Sequence, residues 1–596
     1  MNLEKTEWDF TSLIKGKNFE EKRKDWQKAT KNFISKWKDR NDYLEDVLVL
    51  KEALDDYELW KRDYGAEYDE IFFYWLKTRI DENNSEIKAK FNSIEEFTKK
   101  IENDIAFFLL NIAKISKKNQ KIFLDSNILT QYKHFLEKLF AESKYLLSEK
   151  EEKILNLKSA SSYSSWVKMT SGFLSKEERK VIDEEGKKVL KSYSELSSLI
   201  NSKNKNVRDE ASKALNDILD KYVDVAEAEL NAILADKKIN DELREMKRPD
   251  FARHLSDDID SDIVDVLIKS VSSKFYLSRR YYELKAKLLG QKKLEYHERN
   301  VEYGKVIKKF SYDDSCLLIE KVFDKLDKKF VKIFKNFINN GLIDVYPRKN
   351  KRSGAFCVYF LKKQPTYILL NHTDKLNDVL TFAHELGHGI NNELMKEKQN
   401  SLNFNTPLAT AEVASTFMED FVLDELMNDA DDELKLSLMM NKLNDDISTI
   451  IRQVACYMFE QELHKNFREK GYLSKEEIGK LFAKHMKNYM GDFVEQSKGS
   501  ENWWVYWGHI RNFFYNYSYA SGLLISKSLQ SSVKENPKFI ENVKEFLSTG
   551  GSKSPKYIFE KIGINIADKD FWDKGLEEVE KLLNETEKLA KKLGKI

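Results

Sequence analysis

Proline and glycine are so sparse in this chain that little besides helix can run for long: 6 prolines and 21 glycines serve 596 residues. Lys, Glu, Leu and Ala, which lose little side-chain entropy in a helix, are plentiful, so the spacing of breakers predicts a mainly α protein. Start signals agree. Ser148 with Glu151, Ser175 with Glu178 and Ser474 with Glu477 each fit a capping box, in which a Ser hydroxyl and a Glu carboxylate satisfy orphan amides at a helix N-terminus. No fixed period of 20 to 50 residues recurs, which disfavours a solenoid. The length suffices for one large domain or a few ordinary ones.

Charge narrows the partners. Lys plus Arg total 101 against 100 for Asp plus Glu, a net charge of +1, so no positive field recruits nucleic acid. The longest near-continuous apolar run, Ile105 to Ala113, is far short of the roughly 20 residues a membrane span needs. The start MNLEKTEWDF lacks a leader pattern, and Cys316, Cys357 and Cys456 lie far apart; the expected compartment is a reducing cytoplasm. The polar stretch Ser159 to Gly172 reads as a loop or hinge, because serines compete with the helix for backbone groups. A boundary near Ser192 to Asn206 divides the chain into an N-terminal helical region, 1–195, and the remainder, 196–596.

Strand-like pattern concentrates in Ala355 to Leu361 (AFCVYFL) and Thr366 to Leu370 (TYILL). These predict a β-hairpin whose edge can take up an extended peptide. Directly after it, Leu376, Val379, Leu380, Ala383, Leu386 and Ile390 recur with helical period, behind a cap at Thr373 or Asp374. Within that helix His384, Glu385 and His388 form HExxH. Imidazoles four residues apart point the same way and can share one Zn²⁺, while Glu385 faces the attacking water as general base.

A catalytic zinc takes a third protein ligand. Leu394 stands where a metzincin has its third histidine. Glu393 and Glu397 are poor alternatives, since Glu397 lies more than about 13 Å along the axis from His388. After a turn-rich connection, Asn400 to Pro407, a second helix is expected over LATAEVASTFMEDFVLDEL. A hairpin of helices returns Glu412 to the metal, and Glu419, seven residues on, can orient a ligand histidine through its free ring nitrogen.

HELGH followed 24 residues later by the glutamate of AEVAST resembles the M3 family of zinc metallopeptidases, in its oligoendopeptidase F branch. The segments EWDFTSL, SELSSLINSKNKNVRDEASKAL, YYELKAKLLG and GAFCVYFLKKQPTYILLNHTDKLNDVLTFAHELGH resemble corresponding parts of that family. The resemblance implies a helical clamshell with a small β-hairpin beside the zinc helix. It further implies an N-terminal lid closing over a catalytic half and a deep channel that admits peptides but not folded proteins. It also implies that WWVYWGHIRNFFYNYSYASG carries the groups that bind substrate and steady the tetrahedral intermediate. His509 matches this motif position for position; Tyr519, Tyr517 and Tyr515 are the hydroxyl candidates, with Asn512 standing where relatives often have Tyr. By helical spacing Tyr515 and Tyr519 share a face that Tyr517 opposes. His372, between strand and metal helix, is a further substrate-facing candidate.

The expected activity is zinc-dependent endopeptidase action on short peptides, with one Zn²⁺ per chain. An exopeptidase of the same fold and a non-catalytic peptide binder are the alternatives. Oligopeptides are the expected partners, with no nucleic acid or membrane; the oligomeric state is left open.

Overall fold

In a computed structural model of the chain, the described residues are 3–16, 18–65, 68–304, 309–407 and 410–596. They are mostly helical with three small sheets, as the scarcity of breakers predicts. Two compact units share the chain in interleaved pieces. One comprises Met1–Lys144, Ile307–Asn428 and Leu529–Ile564, the other Tyr145–Val306, Asp429–Ser528 and Asn565–Ile596. The point 195/196 falls inside the helix Tyr193–Leu199, within the stretch Tyr145–Val306 of the second unit. Among the described residues no helix is long and apolar enough to cross a membrane.

In the first unit, N-terminal helices pack around a large aromatic core that includes Trp26, Trp37, Tyr43, Trp60 and Phe108. Helix Phe19–Trp37 starts at an Asn18 and Glu21 capping box, and Val47–Asp63 starts at Asp46. The same unit contains a three-stranded sheet. Its central strand Tyr367–Leu369 runs parallel to Ile343–Asp344 and antiparallel to the edge strand Phe356–Val358, with Phe356 opposite Leu369 and Val358 opposite Tyr367. The predicted hairpin is thus present, with shorter strands, and lies against the helix Leu376–Lys398.

The second unit has helices around a buried polar framework. Arg208 pairs with Glu298 at 2.6 Å and Arg511 with Glu229 at 2.8 Å. The Ser148 and Ser474 capping boxes form, but Ser175 does not start a helix. Glu178–Ile182 instead pairs with Lys188–Ser192 as an antiparallel hairpin, and the box that forms there is Ser192 with Glu195. A tight turn closed by an Asp183 carboxylate, which accepts the Glu185 and Lys187 amides, outweighs helix propensity in this charged stretch.

Ser159 to Gly172 is not a loop. It continues the helix Glu149–Ser159 through a π-turn, Ala160–Ser164, into the helix Ser165–Leu174. The serines fold their hydroxyls back onto their own helix, Ser159 onto Asn156 O at 2.7 Å and Ser161 onto Lys158 O at 3.0 Å. Their hydrogen-bonding demand is met without leaving helical geometry.

Candidate metal centre and tyrosine loop

The HExxH helix spans Leu376–Lys398. Neither expected cap acts there. The Asp378 carboxylate instead reaches back to the Thr373 and Lys375 amides at 2.6 and 3.0 Å, and Asp374 takes a left-handed φ of 63°. Val379, Phe382, Ala383, Leu386 and Ile390 are fully buried, so the helix is fixed on its apolar side and offers His384 and His388 on the other.

The next helix, Val413–Asn428, starts later than the sequence pattern suggests; Leu408 and Ala409 lie outside the described residues. Glu412 accordingly sits just before the first turn. Its carbonyl accepts the Thr416 amide and the Ser415 and Thr416 hydroxyls, and its Oε2 accepts from Ser415 Oγ at 3.2 Å. Gly387, which the motif does not single out, sets the spacing of the two helices. A Cβ there would lie 2.5 Å from the Ala414 carbonyl oxygen and from Ser415 Cα, a separation no side chain tolerates.

That close approach assembles the donors. Glu412 Oε2 lies 3.3 Å from His384 Nε2 and 3.7 Å from His388 Nε2, and the three ligating atoms are within 4.8 Å of one another. Tetrahedral ligands about 2.0 Å from zinc are spaced at roughly 3.3 Å, so the donor set fits such a cation. His384 Nδ1 donates to Glu419 Oε2 at 2.9 Å, which fixes the tautomer and turns Nε2 toward Glu412. Burial alone would lower the His384 pKa, but hydrogen bonds to Glu412 and Glu419 lift it to about 10. The excess of negative charge around one imidazole is the demand a divalent cation meets. His388, with burial dominant, falls to about 4. Burial works against the Glu412 charge, yet the His384 hydrogen bond and both imidazoles hold this carboxyl at about 2.

Glu385 is buried beside the edge strand. Desolvation raises its carboxyl to about 7, against the opposing charge of His384 and with Glu412 adding to the rise. Cys357, in that strand, has its thiol pushed well up by burial and by Glu385, so it remains a thiol. Glu393 and Glu397 are engaged elsewhere, with Lys396 and with Lys329. His372 is not brought to this group. Its ring is buried, with the Asp374 amide donating to Nδ1 at 3.3 Å and Ser315 Oγ 3.1 Å from Nε2.

His509 lies in the second unit, on the short 3₁₀ turn Gly508–Arg511. Arg511 anchors the turn through Glu229 and the Trp504 and Trp507 carbonyls. Tyr519 OH is 3.4 Å from His509 Nε2 and is hydrogen-bonded to Tyr515 OH, whose ring stacks on His509 at 5.4 Å. Tyr517 faces away and donates to Asp257 at 2.7 Å in the core. Burial, helped by the Arg452 charge, lowers His509 to about 4, which keeps the ring neutral. A second His and carboxylate group, Asp209, His297 and Glu298, differs in kind, because Arg208, Lys205 and Gln291 already donate to Glu298.

Among curated relatives, an oligoendopeptidase F homolog from Borreliella burgdorferi is 27% identical over 530 residues, covering 87% of this chain and 88% of that protein. The plasmid oligoendopeptidase F of Lactococcus lactis subsp. cremoris is 28% identical, with 82% of each covered. A solved structure from Chlamydophila abortus has the same fold, with a TM-score of 0.86 at 22% identity over 98% of each chain. The oligoendopeptidase F structure from Enterococcus faecium matches at a TM-score of 0.71 and 17% identity, over 96% of this chain and 99% of that one. The family model for oligopeptidase F matches residues 111–173. With the model for peptidase family M3 matching residues 198–578, which include every group described above, the chain belongs to peptidase family M3.

Proposed function

We propose that this peptidase is a zinc-dependent oligoendopeptidase that hydrolyses internal bonds of short, unstructured peptides within a cleft that closes over them. The observation that carries the reading is the convergence of His384, His388 and Glu412 on one donor-lined point, with Glu385 buried beside it. Zinc held by those three residues would act as a Lewis acid on the scissile carbonyl and lower the pKa of the attacking water. Glu385 takes the proton from that water and returns it to the leaving amine, and its buried place next to the metal-ligand histidines suits both transfers. Glu419 holds His384 in its ligating tautomer. His509 and Tyr519 donate to the oxyanion of the tetrahedral intermediate, with Tyr515 as their support.

The edge strand Phe356–Val358 aligns an extended substrate by main-chain pairing. A folded protein has no free strand to offer it. A reducing cytoplasm suits the free Cys316, Cys357 and Cys456. The test is mass spectrometry of peptides blocked at both ends, digested with and without a strong chelator. Internal cuts that vanish with chelator and return with zinc are expected. Cleavage confined to peptides with a free terminus would make the enzyme an exopeptidase, and no cleavage at all would leave a peptide binder.

A further inference from the structure

Between the His509 turn and the helix Tyr517–Glu535 the backbone does something costly. Phe513 and Phe514 take left-handed φ values of 47° and 56° in succession, a region bulky side chains avoid unless their surroundings impose it. The imposing groups all belong to the second unit. Arg253 donates to the Asn512 and Phe513 carbonyls at 3.0 and 3.3 Å. Tyr163, in the π-turn, donates to the Arg511 carbonyl. The His464 ring packs on Phe513 and Phe514 at 5.4 and 4.6 Å. Beneath the turn is Glu460, fully buried, which accepts the Phe514 amide at 3.3 Å and lies 3.0 Å from the Asn516 side-chain amide.

We propose that Glu460 is a positioning residue for the peptidase reaction: by holding the Phe513–Phe514 turn in left-handed backbone it sets where His509, Tyr515 and Tyr519 are presented. The inference rests on the reading of His509 and Tyr519 as oxyanion donors. Among the described residues no Lys or Arg is hydrogen-bonded to this buried carboxyl, and its two donors, the Phe514 amide and the Asn516 side chain, lie on the segment that carries the His and the Tyr pair. Its protonation fits the geometry. Burial raises Glu460 to about 8, and Asn516 Oδ1 is buried without a partner. A flip of the Asn516 amide lets the neutral acid donate to that oxygen while its carbonyl accepts from Phe514 N–H. Glutamine has the same donor and acceptor in the same places.

The experiment compares Glu460→Ala, Glu460→Gln, His509→Ala and the Glu460→Ala, His509→Ala double variant on one internally cleaved peptide. Bound zinc and thermal unfolding are measured alongside. Glu460→Ala is expected to lower kcat about tenfold or more, with KM within about threefold and zinc content unchanged. Glu460→Gln should stay within about threefold of wild type. The double variant should be no more than about twofold slower than His509→Ala, because the two lose the same interaction. Wild-type kcat in Glu460→Ala, equal damage in Glu460→Gln, or fully multiplicative losses would overturn the inference. An unimpaired His509→Ala would overturn the oxyanion reading itself, whereas a slow His509→Ala beside a normal Glu460→Ala removes only the positioning role. If Glu460→Ala does not fold, Arg253→Met loosens the same turn from its part-exposed side. The same loss of kcat and the same lack of additivity are then expected, and wild-type kcat would count against the proposal.

Discussion

Glu385 and Glu460 are buried glutamates with raised pKa values that the sequence treats very differently. Glu385 is legible because it lies between two histidines at ligand spacing. Replacing it with Gln keeps shape and metal donors, so Glu385→Gln should retain its metal while turnover falls by several orders of magnitude. A variant with more than about a tenth of wild-type kcat would remove Glu385 from the role of base. Glu460 is invisible in sequence, being one acidic residue among many on the helix Arg452–Lys470. It should nevertheless show in stability. The folded state keeps a proton that the unfolded chain releases from about pH 4.5, and gives it up only near pH 8. The native state binds more protons across that window, so this contribution is whole below about 4.5, declines with rising pH and is gone above about 8. Calorimetric scans across that range should find a smaller decline in Tm for Glu460→Gln than for wild type, and parallel curves would show that the group is not buried neutral.

The decisive element is the helix pair Leu376–Lys398 and Val413–Asn428. Periodicity predicts both, and a helical hairpin is the simplest way to return a carboxylate to the HExxH face. What periodicity does not contain is their separation, which Gly387 sets through a backbone contact with Ala414 and Ser415. Gly387→Ala must push the helices apart and move Glu412 and Glu419 away from His384. Alanine is the better helix former, so the helix itself is not weakened. Metal affinity is expected to fall at least about tenfold with loss of kcat, read by zinc content after dialysis against graded chelator. Retention equal to wild type would mean that the helices need not be so close.

For the whole molecule, the proposed function predicts selection by length and by unfolding. A series built around one cleavable sequence should be cut efficiently at roughly 5 to 20 residues and poorly at greater lengths. A native globular protein should resist where its unfolded, alkylated form yields fragments. Rates independent of length into the hundreds of residues, or comparable attack on the folded control, would show a site open to folded chains. Ser159–Gly172 is helix with a π-turn and supplies no loop to this selection.

Local chemistry was readable in the amino-acid order wherever function demands residue types at short spacing: few breakers mean helix, short apolar runs rich in β-branched and aromatic residues mean the hairpin, and His384 and His388 four residues apart point to a candidate metal site with Glu385 between them. Those features depend on neighbours within a turn or two, which the order of residues specifies directly. The His372 environment, the outward Tyr515 and Tyr519 against the buried Tyr517, and the left-handed Phe513–Phe514 turn depend on partners far along the chain. Ser315 lies beside His372, Asp257 receives Tyr517, and Glu460 with Arg253 holds the turn. Only tertiary packing brings such groups within hydrogen-bond reach, because a buried polar atom takes whichever partner the fold delivers and not the one nearest in sequence.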